Sequence, residues 1–201
     1  MKDVNDKILD VAIELAEEGG FENVRQRDVA KRAGVALGTL YKRFRSKEDI
    51  LSAAIARQTE QLERRMERKP ATGATPTVRM ASFFQMVTKA MCRKPQYARA
   101  VLRAMASGVP EVAENVTRYQ ERMTGLTIAA LRGTGRLGFA DATSSPPTET
   151  EATLALMLQQ IWFASLVGWS AGLHGVNRVV EQMEQASALL LKATGYEPAA
   201  A

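Results

Sequence analysis

An all-α fold is what this sequence of 201 residues predicts, and three observations predict it. Apolar residues recur at the i, i+4, i+7 spacing of a helix in segment after segment. Capping pairs open two of the longer segments, and Gly or Pro closes most of them. No run alternates polar and apolar residues with the period of two that a half-buried strand requires.

The elements follow in order. A first helix is predicted over residues 3–18, with Ile8, Ala12, Leu15 and Ala16 in one stripe, and Gly19-Gly20 is expected to stop it. Short helices are predicted over 25–33 and 36–44, separated by Gly34. Ser46 with Asp49 makes an S-x-x-D capping pattern ahead of Ile50, Leu51, Ala54 and Ile55, so a longer helix opens there and fades into the basic run 64–69. The stretch 70–76, with Pro70, Gly73 and Pro76, reads as a loop. Further helices are expected over 77–93, 95–107, 110–132, 148–173 and 176–193. Their breakers are Pro95, Gly108-Val109-Pro110, the stretch 133–147 and His174-Gly175, and Thr148 with Glu151 caps the fourth of them. Within 133–147, the run Thr143-Ser144-Ser145-Pro146-Pro147 looks the least ordered.

Composition narrows the function classes. The net charge is a modest +5, but it is unevenly spread. Residues 1–22 hold two lysines against seven carboxylates, whereas residues 23–47 hold eight basic residues against Asp28 alone. A short basic segment beside an acidic helix has the form of a nucleic-acid footprint, and equally of a solvated basic face. The start of the chain shows no signal-peptide pattern and no uninterrupted apolar span is present, so the cytoplasm is expected and no membrane. The single cysteine, Cys92, fits a reducing compartment.

Two short helices joined at a steep angle need a small residue at their crossing, a left-handed residue in the turn and an apolar anchor on the second helix. Ala30, Gly34 and Leu40 meet these needs, with Val29, Ala33 and Val35 completing a small core. These residues alone fit any helical hairpin. Gly20-Phe21 and the unbroken run from Val29 to Glu48, VAKRAGVALGTLYKRFRSKE, closely resemble the DNA-binding head of the TetR family.

That resemblance implies a helix-turn-helix DNA-binding domain over residues 1–46 and an effector-binding and dimerisation domain over residues 47–201. It places Ala36 and Leu37 at the start of the recognition helix, and Thr39, Tyr41 and Lys42 along it. Gly38 would let the backbone approach DNA closely. It assigns the Tyr41 hydroxyl, Lys47, Arg25 and Lys42 to phosphates, and Arg27 to a phosphate or a guanine edge. Phe21 and Phe44 are expected in the core of the head. Two positions depart from the family pattern. Val24-Arg25 stand where hydroxyl residues are usual, with Asn23 the expected cap, and Ala36 stands where Ser is common. Base preference is therefore not carried over.

In the body, residues 154–173 are apolar nearly all round, so one side is expected to meet the domain and the other a second subunit. The resemblance implies a four-helix bundle between protomers, for which Leu158, Ser165, Gly168, Trp169, Gly172, Val179, Met183 and Leu190 are the expected face. An apolar pocket is implied as well, with Phe83, Phe84, Met86, Met105, Met123, Trp162 and Phe163 as candidate lining, although each also suits plain core. Met91-Cys92-Arg93-Lys94-Pro95 and the Trp-containing penultimate helix are similar to the branch that governs steroid and fatty-acid breakdown. The expected partners are double-stranded operator DNA, a second copy of the chain, and a lipid- or steroid-derived acid or its coenzyme A thioester. No cofactor is expected.

Two rivals stand beside this. An enzyme would need a constellation, but His174 and Cys92 are each single and Gly133-Thr134-Gly135 follows no strand. An effector-independent DNA-binding protein would have no need of a body of about 150 residues.

Overall fold

The computed structural model describes residues 3–134 and 145–196, so most of the loop expected over 133–147, with Thr143 and Ser144, lies outside the described residues. Every regular element among the described residues is helical. In chain order they are α1 (Val4–Asn23), α2 (Gln26–Ala33), α3 (Leu37–Arg43), α4 (Lys47–Arg68), α5 (Pro76–Cys92) and α6 (Pro95–Met105). A 3₁₀ turn (Pro110–Val112) then leads to α7 (Ala113–Arg132), α8 (Glu149–Ser170) and α9 (Val176–Thr194). Two compact units result: the chain through Thr59 with Arg93–Tyr119, and Glu60–Cys92 with the chain from Gln120 onward.

In the first unit the expected α1 stripe is buried, and Ile50, Leu51, Ala54 and Ile55 of α4 join it in the core. Gly19-Gly20 breaks the helical backbone but does not end the element; one more turn follows and drops Phe21 into the core. Contrary to expectation, Asn23 does not cap α2. Its amide donates instead to the Leu15 carbonyl at 3.0 Å beside that break, and α2 starts at Arg25 without a side-chain cap. Gly34 has φ 68° and ψ 33°, and the N–H groups of Gly34 and Val35 close back on α2 carbonyls. This is the left-handed helix end that a Cβ-bearing residue resists. Val29, Ala30 and Leu40 are fully buried where α2 and α3 cross, while Ala33 and Val35 are only half-buried. Ser46 Oγ accepts from the Asp49 N–H as expected, but Asp49 reaches back one residue further, to the N–H of Arg45.

Three links tie elements of this unit that are distant in the chain. Arg57 bridges Asp6 and Asp10 at 2.9 and 2.6 Å. The Tyr97 N–H donates to Glu17, and its hydroxyl donates to Gln58. Asn115, in the first turn of α7, donates to both Asp49 and Ser52 of α4.

The second unit packs α9 against both α5 and α8. Its core joins Met80, Phe83 and Phe84 of α5, Leu126, Ile128 and Leu131 of α7, Leu154, Leu158 and Trp162 of α8, and Val179 and Met183 of α9. The Trp162 indole donates to Thr88 at 2.9 Å, which satisfies both groups in a fully buried place. Arg79 is buried too, and spends its guanidinium on the carbonyls of Ala130, Leu131 and Gly73, where a cation suits the negative end of α7. By length and composition α8 is apolar enough to cross a membrane, yet one side of it is protein core. It also ends three residues sooner than expected. Gly172 takes φ 79° and lies in the turn behind the helix, with the Leu173 N–H closing on the Gly168 carbonyl.

The start of α8 carries the expected capping box, and it is more heavily built than a cap needs. Glu151, 4% exposed, accepts both prongs of the Arg132 fork at 2.7 Å, the Thr148 N–H, and the hydroxyl of Tyr196 beyond α9. Burial alone would raise this carboxyl. The Arg132 fork above all, then Thr148 and Tyr196, outweighs burial and brings it down to about 2. A folded-state value below the unfolded one contributes stability that is complete above about pH 4.5 and is lost as pH falls toward 2. Glu151→Gln should therefore lower unfolding free energy at pH 7 by about 3 kcal/mol and flatten its pH dependence between 4.5 and 2. Urea melts across that range measure this, and a variant that tracks the parent protein throughout would disprove the assignment.

Candidate nucleic-acid interface

The turn at Gly34 sets α3 across α2 with Leu40 inward and the opposite face of α3 outward. Gln26 of α2 braces the far end of α3 by donating to the Phe44 carbonyl at 3.1 Å. Of the expected DNA-contacting residues, Arg25, Arg27, Ala36, Gly38, Tyr41 and Lys42 are exposed, and Leu37, Thr39 and Lys47 are partly so. A Cβ at Gly38 would meet nothing within 4 Å, so the backbone there faces open space. Tyr41 is 49% exposed although aromatic, which suits a side chain held for a partner.

The basic run divides by use. Arg32 pairs with Glu14 and Glu18 of α1, and Arg43 donates to Asn5, so both are anchors of the head. Arg25, Arg27, Lys31, Lys42 and Arg45 are exposed and carry no ion pair among the described residues. An open cleft of about 430 Å³ lies at this edge, lined by Glu22, Val24, Arg25, Gln26, Arg45, Ser46, Lys47 and Glu48. It is bordered by the N-termini of two helices, α2 and α4, and by three cations, which together favour a phosphate group.

Arg45 and Gln26 belong to this cleft and were not singled out from the sequence; for Arg45 the signal was its place in the basic run. Lys47 was singled out, but its neighbours were not. Its ammonium sits 2.9 Å from a Glu22 carboxylate oxygen and 4.0 Å from the centre of the Phe21 ring. The guanidinium of Arg103, on α6, holds the other Glu22 oxygen at 2.8 Å and lies 4.1 Å from the same ring centre. Lys47 first, and Arg103 after it, keep the exposed Glu22 carboxyl below the usual carboxylate range.

The residues singled out in the body fall in several environments. Phe83, Phe84, Met123 and Trp162 are packed core of the second unit, with the Phe84 and Trp162 ring centres 6.1 Å apart. Met86 and Phe163 are half-buried there, whereas Met105 belongs to the first unit, so the expected pocket lining is not gathered in one unit. Of the expected dimer face, Leu158, Ser165, Trp169, Val179 and Met183 are buried within their own protomer. Gly172 lies beyond the helix, and the space beside Gly168 is taken by the ring of His174. Leu190 is half-buried. Among the described residues, the exposed apolar side of α8 carries Leu156, Met157 and Val167, with Gln160 and Ala164 between them, and Leu189 of α9 is 69% exposed. A helix apolar on both sides gives no periodicity from which to choose the inward one.

A helix-turn-helix that presents its second helix outward, edged by exposed cations, has the form of a DNA-binding protein. Comparison with known proteins agrees with that class. Residues 8–54 match the family described as bacterial regulatory proteins, tetR family, and residues 73–190 match the tetracyclin repressor-like C-terminal domain. The chain is 33% identical over 190 residues to the HTH-type transcriptional repressor KstR of Rhodococcus jostii (strain RHA1), covering 94% of this chain and 84% of that protein. A TetR transcriptional regulator from Rhodococcus sp. RHA1 superposes with a TM-score of 0.79 at 25% identity, over 94% of this chain and 95% of that one. Thermus thermophilus FadR, a TetR-family repressor solved in complex with lauroyl-CoA, shares the fold, with a TM-score of 0.73 at 19% identity over 98% of each chain. The chain belongs to the TetR family of bacterial regulatory proteins, and it is a DNA-binding transcriptional regulator.

Proposed function

We propose that this protein is a repressor that binds operator DNA in the cytoplasm as a homodimer and leaves it when a lipid- or steroid-derived acid, or its coenzyme A thioester, binds the body. The outward face of α3 beside the cation-lined cleft carries this reading. Repression is supported by the named role of the Rhodococcus jostii relative. The effector class is supported by two things. The FadR that shares this fold holds an acyl-CoA. In the second unit, exposed Arg64, Arg65, Arg68 and Lys69 lie close together in sequence and offer cations to a carboxylate or phosphates, beside a core rich in Phe, Trp and Met. Selecting a duplex from randomised DNA, then titrating lauroyl-CoA, free fatty acids and sterol-derived acids into the complex, tests the whole reading. Release of DNA by at least one of them is expected; if none releases DNA and none raises the melting temperature, the effector class is wrong.

Lys42 is assigned to a phosphate. Lys42→Ala should weaken selected and random duplexes alike and reduce the slope of log K against log salt by about 0.9. An unchanged slope would remove Lys42 from the contact set.

The uncovered side of α8 is assigned to the partner protomer. Leu156, Gln160, Ala164 and Val167 follow one another at spacings of four, four and three, which aligns them on one helix face. Val167→Glu should put a charge into that face and give monomers with weakened affinity for a two-fold operator. Light scattering that still shows a dimer would place the seam elsewhere.

A further inference from the structure

Lys47 borders the cleft in which a DNA phosphate is expected, and so does Glu22. A carboxylate oxygen already stands 2.9 Å from the Lys47 ammonium, in the same kind of position a phosphate oxygen would take. The two anions also repel each other across the cleft. The carboxylate is no part of the core of the head: Glu22 is exposed, and Phe21, not Glu22, is buried there. Arg103 is not among the residues that line the cleft, yet it holds the second Glu22 oxygen at 2.8 Å and shares the Phe21 ring with Lys47.

We propose that Glu22 is a built-in competitor of DNA phosphate for Lys47, and that Arg103, by drawing on the same carboxylate, sets how strongly it competes. Arg103 is thus a positioning residue for DNA binding, acting through Glu22 from a helix outside the helix-turn-helix. With Arg103 in place, part of the Glu22 charge is neutralised and Lys47 can turn to phosphate. Without it, Glu22 closes on Lys47 alone. Because α6 supplies Arg103, any shift of α6 against α1 changes the affinity of the head for DNA with no change at the contact residues. The inference rests on the DNA-binding reading and adds to it a carboxylate that opposes binding.

The test measures the affinity of the full chain for a random-sequence duplex of about 30 base pairs, and for a duplex selected from randomised DNA, across a salt series. Both pairs are exposed, so the effects are several-fold and not larger. Glu22→Gln should bind both duplexes about two- to fivefold more tightly near 0.1 M salt. Arg103→Ala should bind both more weakly by a similar factor with its salt slope unchanged, and Arg103→Lys should stay close to the parent protein. The deciding measurement is the double variant, in which Arg103→Ala should have little effect once Glu22→Gln is present. Thermal melts of all four variants establish that they are folded. The proposal is overturned if Glu22→Gln binds no more tightly. It is overturned equally if Arg103→Ala costs the same in both backgrounds or lowers the slope by about 0.9, which would make Arg103 a phosphate ligand itself. If the parent protein shows no salt-dependent affinity for either duplex, the DNA-binding reading fails, and this inference fails with it.

Discussion

The left-handed backbone at Gly34 is the constraint on which the interface depends. At φ 68° and ψ 33° the chain leaves α2 at the angle that buries Leu40 against Val29 and Ala30. That burial fixes the roll of α3, and the roll decides which of its side chains face outward. Because α3 is only seven residues long, it has almost no helical stability of its own. Its position therefore comes from Leu40, from the Gln26 bond to the Phe44 carbonyl, and from the Phe44 side chain buried behind it. A recognition helix so held presents Thr39, Tyr41 and Lys42 without a conformational search of its own, which limits the ordering entropy that binding must overcome.

How much of this was legible follows from how local the determinants are. Helix ends were readable because capping pairs and left-handed glycines act within a few residues, as Thr148 with Glu151 and Gly34 show. The head was readable because a steep crossing needs particular residue types at fixed spacing. Asn23 misled because its competing acceptor, the Leu15 carbonyl, exists only once Gly19-Gly20 has bent the backbone. The sides of α8 were not readable at all. Leu158, Trp162 and Trp169 point inward and Leu156, Met157 and Val167 outward, so both faces draw on the same residue classes. Gly168 and Gly172 look like a close-packing pair in sequence, yet one makes room for His174 and the other turns the chain. Across the candidate site, Arg25 and Lys47 were legible and the ion pairs of Glu22 were not, since Glu22 meets Lys47 across 25 residues of chain and Arg103 across 81.

Charge in this protein serves two ends, and the side-chain chemistry separates them. Five arginines that hold the fold span two or more acceptors: Arg57 on Asp6 and Asp10, Arg32 on Glu14 and Glu18, Arg122 on Glu60 and Glu63, Arg132 on both oxygens of Glu151, and Arg79 on three carbonyls. A planar fork of donors suits that task and an ammonium does not. The acidic α1 is the main counterpart in the first unit, where Asp6, Asp10, Glu14, Glu18 and Glu22 all hold cations brought in from other elements. Its negative charge thus engages Arg32 and Lys47 of the basic segment and leaves Arg25, Arg27, Lys31, Lys42 and Arg45 to set the field that DNA meets. The net charge of +5 hides this sorting, because it counts a neutralised anchor and an available phosphate ligand alike. Glu22 is where the two uses collide, since the same carboxylate that helps fasten α6 to α1 also stands against a lysine on the binding face. Affinity for DNA is then set by how firmly the head is held together as well as by which cations it displays.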